Sequence, residues 1–330
     1  MRKCRNRHIV CACILAAVLC LIGGCLLFAK FKCSRDASSN QITTELFAMD
    51  TYITMTAYGR DAETALSDAE DKLIELEQLW SVTDPDSDIY AVNHSDGQPV
   101  SVSEETAELL SFALQMAEET NGALEPTIYP VLTAWGFTTE ENRVPSDAEI
   151  TELLKNVGYE RIRQEDTTVQ LESGMMLDLG GNIQAVGTKP DGSPWRLGLR
   201  DPFSGGTLGV LEISNQAVVT SGAYERYFIG EDGKQYGHII APTTGHPAES
   251  GLASATVIAD EGRLCDALST SLYVMGMERA IEYWQQHQNF EMILITENGE
   301  IYLTDGVADS FVLDSYHSNM TVHVIQDEEI

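Results

Sequence analysis

Two hydrophobic periods set out most of the chain. Residues 44–58, TELFAMDTYITMTAY, alternate β-branched and aromatic positions with polar ones, the pattern of a strand. In residues 61–80 the apolar positions Ala65, Ala69, Leu73, Leu76 and Leu79 recur at three- and four-residue spacing, which predicts an amphipathic helix packed on a sheet. A second helix is predicted over 103–120, with Ser103 as its cap. A third starts at the Ser146-x-x-Glu149 box and stops at Gly158. Between the first two, SVTDPDSDIYAVN (81–93) reads as an Asp- and Ser-rich loop, without the glycine and terminal glutamate of a calcium loop. After the second, Pro126 and Pro130 interrupt ALEPTIYPVLTAWGF, which predicts a structured loop presenting Trp135 and Phe137.

Strands are expected within 161–179, then at 207–213, 217–220, 236–240, 252–258, 292–296 and 301–304. A hairpin turn is expected at Asp232-Gly233, and helices at 263–276 and 277–287. The run LDLGGNIQAVGTKPDGSPWRLGLRDP, from Leu177 to Pro202, begins as a strand, breaks at Gly180-Gly181 and resumes as a strand anchored by Trp195. Paired glycines let the backbone approach a ligand, because they carry no Cβ and tolerate positive φ. Asp178 beside them could hold a metal, a ribose or an adenine amine, or simply cap the strand end. The pattern as a whole gives a mixed α/β body. Residues 44–330 are read as one domain of two lobes with the ligand between them.

The N-terminus changes where that body is placed. A basic start, MRKCRNRH, precedes an unbroken apolar run from Ile9 to Ala29, the make-up of an export segment over 1–29. Ile22-Gly23-Gly24-Cys25 is similar to a bacterial lipoprotein processing site, where the cysteine is lipidated. The run is also long enough to stay as an uncleaved membrane anchor. Either way the body is expected at the cell membrane on its extracytoplasmic face, with a polar linker over 30–43. Six of the seven cysteines lie in the first 33 residues. Cys265 alone remains in the body, so no disulfide framework or thiolate metal site can form there.

Charge narrows the partners. The net charge is −31, from 20 Lys and Arg against 51 Asp and Glu. Such a surface repels nucleic acid and anionic lipid and attracts cations, including a divalent metal beside a polyphosphate. No Walker loop, G-x-G-x-x-G, H-E-x-x-H, S-x-x-K or G-x-S-x-G occurs, which excludes the common kinases, dehydrogenases and hydrolases. Asp266 and Thr270, four apart, share one helical face and form a hard-oxygen pair suited to magnesium; the alternative is a polar helix face. His238, close in sequence to Thr220-Ser221, could act as a general base for a hydroxyl or could be structural.

Six stretches in order carry a resemblance: M-D-T (Met49 to Thr51), N-G-A-L-E-P-T (Asn121 to Thr127), L-G-G-N-I (Leu179 to Ile183), T-S-G-A-Y-E-R-Y-F (Thr220 to Phe228), H-I-I-A-P-T-T-G (His238 to Gly245) and D-A-L-S-T (Asp266 to Thr270). Together they resemble the ApbE family of FAD:protein FMN transferases, whose members are typically exported lipoproteins. The resemblance implies magnesium-dependent transfer of FMN from FAD to a threonine hydroxyl of an exported acceptor protein, with AMP released. By motif it implies Asp266 and Thr270 as metal ligands and His238 as the base, and Gly181 stands by position in place of the family's further carbonyl ligand to the metal. Met49, Ala123, Leu124, Glu125, Asp178 and Ile240 would contact FAD. No D-x-x-S/T-G-A-T-like acceptor sequence occurs, so this chain is not expected to be a flavinylation target itself.

The chain departs from the family at several positions. Thr83 stands where an aromatic often stacks on the flavin, Glu125 replaces the usual Asp, and Ala241 replaces the usual Asp after His-Ile-Ile. The family normally has two glycine-paired strands, and here Leu177-Asp178-Leu179 matches the first while Gly180-Gly181-Asn182-Ile183 matches the second. About 30 residues, a crossover-helix length, are missing at the Leu179/Gly180 join, with the motif lysine and a carbonyl ligand among them. The alternative reading is therefore a catalytically impaired flavin-binding or scaffold lipoprotein of the same ancestry. A solute-binding lipoprotein unrelated to flavin fits only the leader and the acidity.

Overall fold

In the first part of the chain the strand pattern turns back on itself. The computed structural model describes residues 34–36, 41–49, 51–139, 141–171, 189 and 191–327. Residues 44–58, read from sequence as one strand, form a hairpin instead. Strand β1 (Ser34–Asp36) pairs with β2 (Gln41–Ala48), which pairs antiparallel with β3 (Thr51–Tyr58), Ala48 facing Thr51. The reversal begins at Met49, whose φ of 52° lies in the left-handed region. The alternation was legible, but it is the same on both sides of the turn and so did not mark it. Helix α1 (Ala62–Trp80) follows and buries Ala62 and Leu66 against Ile42 of the hairpin. Thr44 donates to Glu70 Oε1 at 2.5 Å and the Met49 N–H donates to Glu77 Oε1 at 2.9 Å, so two acidic residues of the helix hold the hairpin. The chain divides into two compact units, Met1–Glu77 and Gln78–Ile330.

The second unit opens with a short helix, α2 (Asp88–Asn93), inside the stretch expected to be loop. Ser87 caps it, accepting from the Tyr90 N–H at 3.0 Å. Strand β4 (Val100–Ser101) leads to α3 (Glu104–Glu119), which begins as predicted at the Ser103 cap. Asp88 accepts three hydrogen bonds through Oδ2, from the Ser103 N–H, Ser103 Oγ and Thr106 Oγ1 at 2.6 to 2.9 Å. This acidic loop thus closes on a helix start. Helix α4 (Tyr129–Trp135) corrects the expectation of an irregular segment: Pro130 sits in its first turn, where a missing N–H costs no helical bond. Helix α5 (Asp147–Leu154) starts at the Ser146 cap and ends before Gly158. Strands β5 (Arg163–Glu165) and β6 (Thr168–Gln170) turn at Asp166, and β6 also pairs with β4.

Strands β7 (Trp195–Arg200), β8 (Thr207–Ile213) and β9 (Ala217–Ser221) come next, then the hairpin of β10 (Tyr227–Ile229) and β11 (Gln235–Gly237) around Gly233. The short strands β12 (Ile240–Ala241) and β13 (His246–Pro247) pair with each other. Then follow β14 (Leu252–Ala259), α6 (Gly262–Met275), α7 (Met277–His287), β15 (Glu291–Thr296), β16 (Ile301–Thr304), α8 (Asp305–Ala308), β17 (Phe311–Leu313) and β18 (Val322–Ile325). The last three were not foreseen. They matter because β17 pairs with β8 and β18 extends the central sheet in parallel with β16.

That central sheet runs β18-β16-β15-β14-β9. Its inner strands β14 and β15 read as nearly continuous apolar runs, since both of their faces are covered. Along β15 the side chains alternate. Met292 and Leu294 pack with Leu268, Leu272 and Trp284 of α6 and α7, while Ile293 and Ile295 pack with Leu208, Leu211 and Phe311 of the β17-β8-β7 sheet. Each fully buried Leu or Ile there contributes about 1.5–3 kcal/mol of burial. Buried Cys265 belongs to this core. Burial pushes its thiol up to about 12, which leaves it an inert apolar side chain. Among the described residues no helix is long and apolar enough to cross a membrane, and the leader expected to do so lies outside them.

Candidate functional site

Helix α6 meets the end of β9 through hydroxyl groups. Ser221 Oγ lies 2.9 Å from Ser269 Oγ and 3.1 Å from Thr270 Oγ1, and Ser269 Oγ donates to the Asp266 carbonyl at 3.1 Å. One residue back along β9, Thr220 Oγ1 and Thr256 Oγ1 pair at 2.8 Å. The D-A-L-S-T stretch is helical because its apolar members, Ala267 and Leu268, turn into the core, which leaves Asp266 and Thr270 half-buried on the side facing β9. Burial pushes the Asp266 carboxyl up to about 7, and no donor among the described residues offsets it. A carboxylate in that position gains from a cation. With Thr270 it supplies hard oxygens of the kind magnesium takes, and the remaining positions would fall to carbonyls, phosphate and water. Among the described residues no group of three or more His, Cys, Asp and Glu side chains gathers in one place. Gly181, the expected carbonyl ligand, lies outside them, as does Asp178.

His238 does not sit in a strand as expected; it occupies the bend between β11 and β12. Its backbone N–H and its ring Nδ1 both reach the Arg226 carbonyl, at 3.0 and 3.1 Å. A carbonyl only accepts, so the Nδ1 carries the proton and the Nε2 lone pair is the one available to a substrate. Burial, the largest effect, and the positive charge of Arg226 hold the imidazole below its ordinary range, the Arg226 carbonyl working the other way. Neutral at physiological pH, it is suited to accept a proton.

The wall beside it is aromatic. The Phe137 ring meets His238 edge-on at 6.3 Å, and the Arg226 guanidinium donates to the Phe137 carbonyl at 3.1 Å. Trp135 contacts Phe228, Tyr236 and His246, and its Nε1 donates to the Gly245 carbonyl at 2.8 Å. Ile240 packs into this group with Val131 and Ile150. The fold therefore brings His238 and Ile240 together, as it does Asp266 and Thr270.

The other expected contacts are placed differently. Ala123 is buried, and Leu124 packs at the margin of the core that contains Ile239 and Leu268. Buried Glu125 turns toward its own loop. Its Oε1 accepts from the Thr127 N–H and hydroxyl at 3.0 and 2.6 Å, and its Oε2 accepts from the Tyr159 N–H at 3.1 Å. Burial raises its pKa and those donors pull the other way. Met49 belongs to the first unit. The sequence places Ser269 beside Asp266 and Thr270 on one helix but gives no role to its hydroxyl, and it gives no sign of the Arg226 carbonyl.

A model of the ApbE family matches residues 49–181 and 170–294. The FAD:protein FMN transferase of Vibrio cholerae serotype O1 is 29% identical over 274 aligned positions, covering 72% of this chain and 82% of its own length. That of Treponema pallidum is 27% identical over 343 positions, covering 88% and 94%. Of solved structures, the ApbE protein of Thermotoga maritima superposes with a TM-score of 0.76 at 29% identity, over 82% of this chain and 99% of that one. The flavin transferase ApbE of Vibrio cholerae does so with 0.73 at 25%, over the same shares. The two family matches overlap at 170–181, across the Leu179/Gly180 join. The 274 positions aligned with the Vibrio cholerae sequence take up 72% of the 330 residues here, so about 36 aligned positions in all have no residue in this chain.

Proposed function

The chain belongs to the ApbE family, and from that premise we propose that it is a transferase that moves FMN from FAD to a threonine hydroxyl of another exported protein, releasing AMP. The observation that carries the reading is Asp266, a carboxyl set without a hydrogen-bond donor among the described residues, one helical turn before the Thr270 hydroxyl. Asp266 and Thr270 would hold a magnesium ion, which when bound offsets the diphosphate charge and eases departure of AMP. His238 Nε2 takes the threonine proton as the acceptor oxygen bonds to the FMN phosphorus and the bond to the AMP oxygen breaks. The Arg226 carbonyl keeps that lone pair on the correct nitrogen.

Ile240 and the aromatic wall around His238 support binding of the flavin dinucleotide on this side of the unit. Met49, Ala123, Leu124, Glu125 and Asp178 extend that reading by motif, and Gly181 does so for the metal by position alone. The apolar run with its basic flank and Cys25 supports attachment to the outer side of the cytoplasmic membrane. Purified protein incubated with FAD, Mg²⁺ and an exported acceptor domain should add one FMN mass to an acceptor threonine, and chelation should stop it. No labelling of any acceptor, with FAD left intact, would rule the reading out.

Two observations favour a second reading. The overlap of the two family matches at 170–181 and the aligned positions without a counterpart support a binding protein that has lost turnover. That reading expects FAD to bind without transfer to any acceptor and without release of AMP, which calorimetry and product analysis separate from the first.

A further inference from the structure

Hydroxyl protons between β9 and α6 can be assigned one by one. Ser269 is fully buried, and its Oγ donates to the Asp266 carbonyl, which can only accept. Donating there, Ser269 is the acceptor in the 2.9 Å contact with Ser221, whose geometry admits either direction. Ser221 has then spent its own proton, so in the 3.1 Å contact it accepts from Thr270. The chain of donors runs in one direction, Thr270 to Ser221 to Ser269 to the Asp266 carbonyl. Both lone pairs of Thr270 Oγ1 are left unengaged by this chain.

We propose that Ser221 is the positioning residue for Thr270, turning the threonine proton inward so that its oxygen lone pairs face a cation held with Asp266. This rests on the reading of Asp266 and Thr270 as metal ligands and adds what orients the weaker of the two. A threonine hydroxyl is a neutral ligand with a rotating proton. Aimed at the cation, that proton would repel it, and Ser221 removes this orientation. Anchored in a strand that pairs with β14, Ser221 is held by the sheet and not by the helix it serves.

The test uses the full chain in detergent, with Mn²⁺ as the probe, its free ion counted by electron paramagnetic resonance, and melting temperature measured without metal. Ser221→Ala should weaken Mn²⁺ binding by about 10–100-fold, the usual effect of removing a group that orients a ligand. Ser221→Thr, which keeps the hydroxyl and suits a strand, should restore it. Thr256→Val breaks the neighbouring hydroxyl pair, so it should lower the melting temperature and leave Mn²⁺ affinity unchanged. Unchanged affinity in Ser221→Ala, with binding abolished in Asp266→Asn, overturns the positioning role alone. Equal losses in Ser221→Ala and Thr256→Val also overturn it, because they would reflect general loosening. A parent protein that takes up no Mn²⁺ overturns both this inference and the metal reading beneath it.

Discussion

The His238 ring donates through Nδ1 to the main-chain carbonyl of Arg226, twelve residues earlier across the β10-β11 hairpin, at 3.1 Å. That contact selects one tautomer and leaves Nε2 as the base. His238→Gln should lower kcat for FMN transfer by about 10²–10⁴-fold, with little change in FAD affinity. Desolvation of the half-buried ring holds its pKa below the ordinary 6.5, so at saturating Mg²⁺ the acid limb of kcat/KM should fall below that value. An acid limb centred above it would assign the proton transfer to another group.

Asp266 gives a pH effect of opposite sense to the usual carboxylate. Its folded pKa is raised from 3.8 to about 7, so the stability it contributes is full below about 4 and is lost as pH rises through 7. Metal-free Asp266→Asn should therefore melt higher than the parent at pH 8, by roughly 5 °C, with the gap closing at pH 4. Mg²⁺ should raise the melting temperature of the parent and not of the variant. An equal or lower melting temperature for the metal-free variant at pH 8 would refute the strained carboxylate.

Glu125 braces the loop between α3 and α4 through Thr127 and Tyr159. Glu125→Ala leaves those donors without partners and should cost about 1–3 kcal/mol in urea unfolding without FAD. Glu125→Asp, one methylene shorter, should lose less. If Glu125→Ala keeps full stability and loses only FAD affinity, the side chain works on the ligand and not on the loop.

Gly245 has φ of 69°, and a Cβ there would collide with Ile150 Cγ2. Its carbonyl also anchors the Trp135 indole. Gly245→Ala should destabilise the second unit by about 1–3 kcal/mol and reduce the near-ultraviolet circular dichroism of the tryptophan. A neutral substitution would show that the turn relaxes freely.

The sequence by itself placed helices at 61–80, 103–120, 263–276 and 277–287, each within a residue of its ends in the structure, most strands of the central sheet, and Cys265 without a partner cysteine in the body. Those signals are local: apolar periodicity, a cap such as Ser103, a run with no partner cysteine. It also paired Asp266 with Thr270, because four residues is one helical turn whatever surrounds the helix. Tertiary structure decided what spacing cannot encode. Pro130 became a helix start, since only position within the first turn tells a helix breaker from a helix opener. The alternation across Met49 became a hairpin, because the backbone reversal there leaves the period of two unchanged on either side. His238 acquired its tautomer from a carbonyl twelve residues away, and Thr270 its hydroxyl partner in Ser221, 49 residues earlier. Hydrogen-bond direction belongs to neighbours in space, and the fold chooses those neighbours.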